Sequence, residues 1–293
     1  MLDWVPNTNH TGIFVADVNG YFKEAGLDVK IIQPGEVYPE AAVASGTADF
    51  GISFQEYVTL SRAQEVPIVS IAAILQHNTS GFASASDLNI TSPADFEGLR
   101  YGSLGTPFEV PTLDVLMSCS GAAIENLEIV HTGWADPLAL IAENQIDLAW
   151  VFYGWQSFQA EQQQLDLNIL MMEDYFECIP DYYTPVIITS EETIDNNPEV
   201  VRALLEALSR GYDFSVENPA DAADILLGAV PELDAELVRE SQLWISNYYK
   251  AEVPRWGEQK QSVWQDYTDW MVEHEILSTA IDAAKAFTNE FLP

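Results

Sequence analysis

"DWVPNTNHTGIFVADVNGYFKEAGLDVKI", residues 3–31, sets the pattern for the rest of the chain. Asp3, Trp4 and Val5 read as the end of a strand. A proline, two asparagines, a histidine and two threonines follow as a loop. Phe14, Val18, Tyr21, Phe22 and Ala25 then recur at helical spacing, and Gly26 stands where a glycine ends a helix. Leu27–Ile32 alternates and reads as a second strand.

The same alternation continues. A helix is expected over 39–45, a strand over 49–53, a helix over 55–64 and an apolar strand over 68–75. Strands alternating with helices predict a parallel sheet covered on both faces. "SPADFEGLRYGSLG", 92–105, restarts the series: Ser92 and Pro93 open a short helix. Strands at 101–103, 127–130 and 147–152 alternate with helices at 107–119 and 136–144. "DYYTPVIITSEE", 181–192, is a further extended run, and the remainder is almost wholly helical. Asn197 and Pro198 start a helix with Val201, Leu204, Leu205, Leu208 and Tyr212 on one face; Val263, Tyr267, Trp270 and Met271 mark another. Extended segments near 80–86 and 183–190 predict two α/β lobes joined by a two-strand hinge. One lobe is expected from 1–84 with 188–293, the other from 85–187.

Eleven basic residues face 46 acidic ones, a formal charge of −35. Such a surface repels nucleic acid and anionic membranes. It suits high salt or a very soluble exported protein. No run of about 18 apolar residues is present to span a membrane. No signal segment is visible, and an extracytoplasmic protein, periplasmic or lipid-anchored, is expected with its signal segment absent from this chain. Cys119 and Cys178 define neither a disulfide framework nor a metal site, and nothing in their spacing supports a bridge. His77, His131 and His274 lack metal-ligand spacing, and no catalytic triad can be inferred.

In open parallel sheets, ligands bind beyond the carboxyl ends of the strands. The loops there carry Trp4, Asn7, Asn9 and His10, then Tyr38, then Phe54, Gln55 and Glu56. The second series adds Phe108, Glu109, Trp134, Tyr153 and Trp155. This set is rich in aromatics, amides and carboxylates and holds no lysine or arginine. Trp4 is either core or a stacking face for a planar ring. Asn7 and Asn9 either form turns and caps or offer their amides to a heterocycle edge. Glu56 and Glu109 each close a capping-box pattern, and either cap or accept bonds from a ligand. Phe54, Trp155 and Tyr183 are each core or contact, and His10 is a cap residue with ligand contact as the alternative.

The opening motif resembles that of the NMT1/THI5-like family, and "SGTADFGISFQE", "SPADFEGLRYGSLGTPFE", "FYGWQ" and "DYYTPVIITSEE" continue the resemblance in order over about residues 2–215. The resemblance implies a type II periplasmic-binding-protein fold. It implies a monomeric solute-binding component of an ABC importer, capturing a small heteroaromatic thiamine precursor of the aminopyrimidine type for a membrane permease. Similar proteins bind riboflavin, and fungal members are suicidal enzymes that build the pyrimidine from their own histidine and pyridoxal phosphate. The enzymes need a Schiff-base lysine and a cysteine-rich iron site. Here Lys23, Lys30, Lys250, Lys260 and Lys285 all fall away from the proposed loops, and the region that corresponds to the family's cysteine cluster offers only Cys178. No cofactor and no enzymatic activity are therefore expected. A carrier of sulfonate, nitrate or phosphate ranks below both, because such anions favour arginine forks or lysine. The expected mechanism is ring capture followed by closure of the hinge.

Crowded acidic side chains make a prediction of their own. Salt shortens their repulsion to about 8–10 Å near physiological strength. The melting temperature is expected to rise between low and molar NaCl, and a flat or falling curve counts against self-repulsion as the controlling factor.

Overall fold

The structure is a computed structural model describing residues 1–35 and 37–293. Its strands are β1 (Phe50–Ser53), β2 (Ile68–Ala73), β3 (Ser80–Ala85), β4 (Arg100–Ser103), β5 (Glu128–His131), β6 (Leu148–Phe152), β7 (Leu167–Met171) and β8 (Val186–Ser190). The chain forms two compact units. The first holds Met1–His77, Tyr182–Thr268 and Thr279–Pro293; the second holds Asn78–Asp181 and Asp269–Ser278. The expected boundaries at 84 and 188 fall within β3 and β8, and a sheet strand stays with its hydrogen-bonded neighbours.

In the first unit β8 lies between β1 and β2 and is antiparallel to both. In the second, the order is β5-β4-β6-β3-β7; β4 is parallel to β5 and β6, whereas β3 is antiparallel to β6 and β7. The pairs of the first sheet are therefore antiparallel and the second sheet is mixed, so neither is wholly parallel. The two extended segments expected at the hinge, β3 and β8, run against the direction set by the strand–helix series. β7 went unread in the sequence, although "LNILM" is an apolar run of strand length. Leu27–Ile32, expected as a strand, has no assigned strand, and Leu2 N–H donates to Ile32 C=O at 2.8 Å.

Packing follows the apolar faces. Val58, Ile68, Tyr183, Val186, Ile188 and Trp264 form the heart of a buried cluster in the first unit. Ala83, Ile141, Ile146, Ala149 and Val151 do the same in the second. The helix Thr11–Val18 crosses Pro198–Glu217 so closely that a Cβ on Gly211 would sit 2.0 Å from the Gly12 carbonyl oxygen. Among the described residues no helix is long and apolar enough to cross a membrane.

Cys119, at the end of the helix Glu109–Cys119, is bridged to Cys178, with Cα atoms 6.3 Å apart. This corrects the sequence reading. Fifty-nine residues of separation carry no pairing signal, and only the folded second unit brings the two together. Trp270 Nε1 donates to the Cys178 carbonyl at 3.1 Å. Closing a loop of this length restricts the unfolded chain, so Cys119→Ser with Cys178→Ser is expected to cost about 2–4 kcal/mol. Urea unfolding with and without reductant checks this: reduction should destabilise the parent and leave the double variant unmoved.

Candidate functional site

The opening loop is built from its own side chains. Asn7 Oδ1 accepts from Asn9 N–H at 2.9 Å, and Asn7 Nδ2 donates to Val5 C=O at 3.1 Å. Asn7 N–H donates to His10 Nδ1 at 3.2 Å. That leaves the ring proton on Nε2, which donates to Asp3 Oδ1 at 2.6 Å. His10 is fully buried. Asn7 and His10 thus frame the loop and make its capping box.

Three residues from the C-terminal region brace the loop. Tyr212 donates its hydroxyl to Asn9 C=O at 2.8 Å, and Tyr249 donates to Thr8 C=O at 2.5 Å. Thr8 Oγ1 and Ser241 Oγ lie 2.6 Å apart. Tyr212 itself stacks on Trp256 at 4.2 Å and 10°. On this support Trp4 stands 42% exposed, which removes the core alternative for it. Asn9 is half-buried, and its carboxamide makes no hydrogen bond among the described residues.

Neighbouring loop ends add aromatic surface. Tyr38 precedes the helix Pro39–Ala44 and is 54% exposed; Phe54 precedes the helix Gln55–Ala63 and is half-buried. Tyr57 lies between them, 6.5 Å from the Tyr38 ring and 6.0 Å from Phe54. The sequence reading missed Tyr57, which lies in the first turn of the helix that Phe54 precedes. It also missed Glu40. Ser53 donates its hydroxyl to Glu40 Oε1. Burial pushes the Glu40 carboxyl above its ordinary range, and the nearby Asp3 charge adds to this.

Glu56 and Tyr183 turn inward. Glu56 is 5% exposed, and burial pushes its carboxyl up to about 8, opposed by bonds from its own backbone N–H and from the Tyr182 hydroxyl. Its Oε2 has no hydrogen-bond partner. Tyr182 stacks on Tyr267 at 4.2 Å. Glu56 is therefore a buried, protonated acid at neutral pH rather than a cap. Tyr183 is 1% exposed, within the core beside Trp264, and its hydroxyl accepts from Lys260 N–H at 2.8 Å. Tyr183 is thus packed in the core, and its backbone is clamped by Gln55, whose Oε1 accepts from Tyr183 N–H and whose N–H donates to Tyr183 C=O.

In the second unit, Glu109 is spent on its own loop. It accepts from Tyr101 OH, Ser103 Oγ, Leu104 N–H, and both Thr106 N–H and Oγ1 at 2.8–3.2 Å. Glu109 therefore ties down the loop before its helix rather than capping it, since the N-cap is Phe108 with no side-chain cap bond. Trp134, beyond β5, is 66% exposed, and Trp155 is half-buried on the helix Tyr153–Gln162. Among the described residues no group of acidic, histidine and cysteine side chains could hold a metal.

These two α/β units define the type II periplasmic-binding-protein class. A ligand-binding component of an ABC-type import system from Staphylococcus aureus superposes with a TM-score of 0.74 at 14% identity, over 99% of this chain and 96% of that one. A Candida albicans protein described as having the generic periplasmic binding protein structural fold superposes with a TM-score of 0.69 at 14% identity, over 100% and 96%. Within that class the chain belongs to the NMT1/THI5 like family, whose model matches residues 7–222. It is 28% identical to a formylaminopyrimidine-binding protein of Halalkalibacterium halodurans, over 99% of this chain and 88% of that protein. It is 25% identical to the riboflavin-binding protein RibY of Chloroflexus aurantiacus (100% and 85%) and to a 4-amino-5-hydroxymethyl-2-methylpyrimidine phosphate synthase of Legionella pneumophila (100% and 91%).

The buried acid gives a pH dependence. Unfolded, Glu56 ionises near its ordinary 4.5; folded, it keeps its proton to about 8. Between these values the unfolded chain binds fewer protons, so stability falls as pH rises, by at most about 1.4 kcal/mol per pH unit. Glu56→Gln keeps the shape and removes the titration. Chemical unfolding from pH 5 to 8 should show a shallower decline for the variant; parallel slopes would mean that Glu56 ionises normally.

Proposed function

We propose that this chain is the solute-binding component of an importer, and that it captures a small planar heteroaromatic of the aminopyrimidine type without altering it. The observation that carries the reading is the braced loop of the first unit. It carries a partly exposed indole, Trp4, and the carboxamide of Asn9, which makes no hydrogen bond among the described residues. An indole face recognises a flat ring, and a carboxamide offers both donors and an acceptor to a ring edge. Tyr38, Phe54 and the added Tyr57 supply further aromatic surface in the same unit. Trp134 and Trp155 of the second unit are proposed contacts on their aromatic chemistry. The 28% identity to a formylaminopyrimidine-binding protein supports the ligand class.

The synthase relative defines the competing reading. Against it, Lys250 and Lys260 are held by Asp213 and Glu252 at 2.9 and 2.6 Å, and Cys119 and Cys178 are bridged to each other. A monomer outside the cytoplasm, handing its solute to a membrane permease, completes the proposal; the disulfide supports an oxidising compartment.

Trp4→Ala is expected to weaken binding by roughly 1–3 kcal/mol, through lost burial and lost stacking. That is about five-fold to more than hundred-fold in Kd. The melting temperature should hold, because the side chain fills no dry cavity. Thermal shift and calorimetry against aminopyrimidines, thiamin, riboflavin and nucleobases check both points. Normal binding by the variant would remove Trp4 from the site, and recovery of a chemically changed ligand would favour the enzyme.

A further inference from the structure

Three chain segments of the first unit meet at Glu40, which stands in the first turn of the helix Pro39–Ala44. Ser53, the last residue of β1, donates its hydroxyl to Glu40 Oε1. Asp3 of the opening loop lies near enough for its charge to oppose ionisation of Glu40. The aromatic side chains leave from this same junction: Trp4 follows Asp3, Tyr38 precedes Pro39 and Glu40, and Phe54 follows Ser53. Glu40 is half-buried, so part of it stays open to a solute.

The other two acids nearby are committed, Asp3 to His10 at 2.6 Å and Glu56 toward Tyr182. The helix Pro39–Ala44 packs against β1, β2 and β8, which carry no titratable side chain, and against the helix Gln55–Ala63. On that helix Arg62 pairs with Glu191 at 2.6 Å, and Tyr57 lies against the Tyr38 ring. Burial and Asp3 favour the neutral form of Glu40; the Ser53 hydroxyl and its own N–H favour the charged form. Among the described residues no cationic side chain acts on it.

We propose that Glu40 is the specificity-determining acid of the ring site: it makes a two-point pair with the exocyclic amine and the adjacent ring nitrogen of an aminopyrimidine, and the pair holds one shared proton. This rests on the function proposed above. The pair closes whichever partner carries the proton. A neutral acid donates its O–H to the ring nitrogen and accepts from the amine. A carboxylate accepts from the amine and from the protonated ring nitrogen, as it does from an arginine fork. When acid and ring both enter unprotonated, the proton comes from solvent. The matching edge of a pyrimidinone has no basic nitrogen to share that proton, and its carbonyl meets the ionised acid acceptor to acceptor, leaving both unsatisfied.

The test is calorimetry on the full chain at pH 8 with 4-amino-2-methylpyrimidine and 2-methylpyrimidin-4-one. Each is titrated in phosphate and in Tris, whose different heats of ionisation count the protons exchanged. The parent is expected to prefer the amine by about ten-fold or more and to take up about one proton with it. Glu40→Gln keeps the shape and can still accept from Ser53. It is expected to keep its Tm, to bind the amine about ten-fold more weakly, to hold the pyrimidinone as well as the parent does, and to take up no proton. Binding of the amine by the parent without proton uptake overturns the role of Glu40 alone, and this reading needs no variant. So does a folded Glu40→Gln that keeps the parent's preference. A parent that binds neither pyrimidine overturns the ligand class, and this inference with it.

Discussion

The bond from the Asn7 backbone to the His10 imidazole, continued from that ring to Asp3, is the constraint on which the first unit's loop surface rests. It fixes one tautomer, closes the loop and sets the start of the helix Thr11–Val18. Losing the imidazole would leave a buried N–H and a half-buried carboxylate unsatisfied, at about 1–3 kcal/mol for each such group. The C-terminal region answers the same constraint from below, with Tyr212 and Tyr249 ending on carbonyls of that loop. The close approach of Gly211 to Gly12 brings the neighbouring Tyr212 to the loop.

Two glutamates show where local reading stops. Glu56 and Glu109 both end the same capping pattern at the start of a helix. Glu109 folds back and meets five donors of its own loop. Glu56 turns into the core toward Tyr182, a residue more than a hundred positions away. Sequence spacing places each acid on a first turn, but the tertiary neighbour decides its rotamer. Tyr183 obeys the same logic: an aromatic near the end of an extended run is equally suited to a surface or a core, and Trp264 and Lys260 settle it as core.

The alternation of strands and helices was legible because burial on both sheet faces imposes long apolar strands between amphipathic helices. Strand direction was not, since β3 and β8 carry the same apolar pattern whichever way they run. Type and position left Trp4 open between core and surface and Asn7 open between turn and ligand group; only the fold shows Trp4 exposed and Asn7 in a turn. The Cys119–Cys178 bridge could not, because two cysteines 59 residues apart have no local correlation. Most of the basic side chains are taken up in ion pairs such as Arg100–Asp147, at 2.8 Å. The large acidic excess is thus left to solvent and counterions.

The contrast between exposed and enclosed indoles has an optical consequence. Trp256 and Trp264 are fully buried, while Trp4 and Trp134 stand in water. Indole emission shifts to longer wavelength in a polar, mobile surrounding, so the intrinsic fluorescence of this chain is a sum of a blue core population and a red loop population. A flat solute laid on the loop indole would quench only the red part. The protein thus carries its own reporter, in the colour of light that disappears.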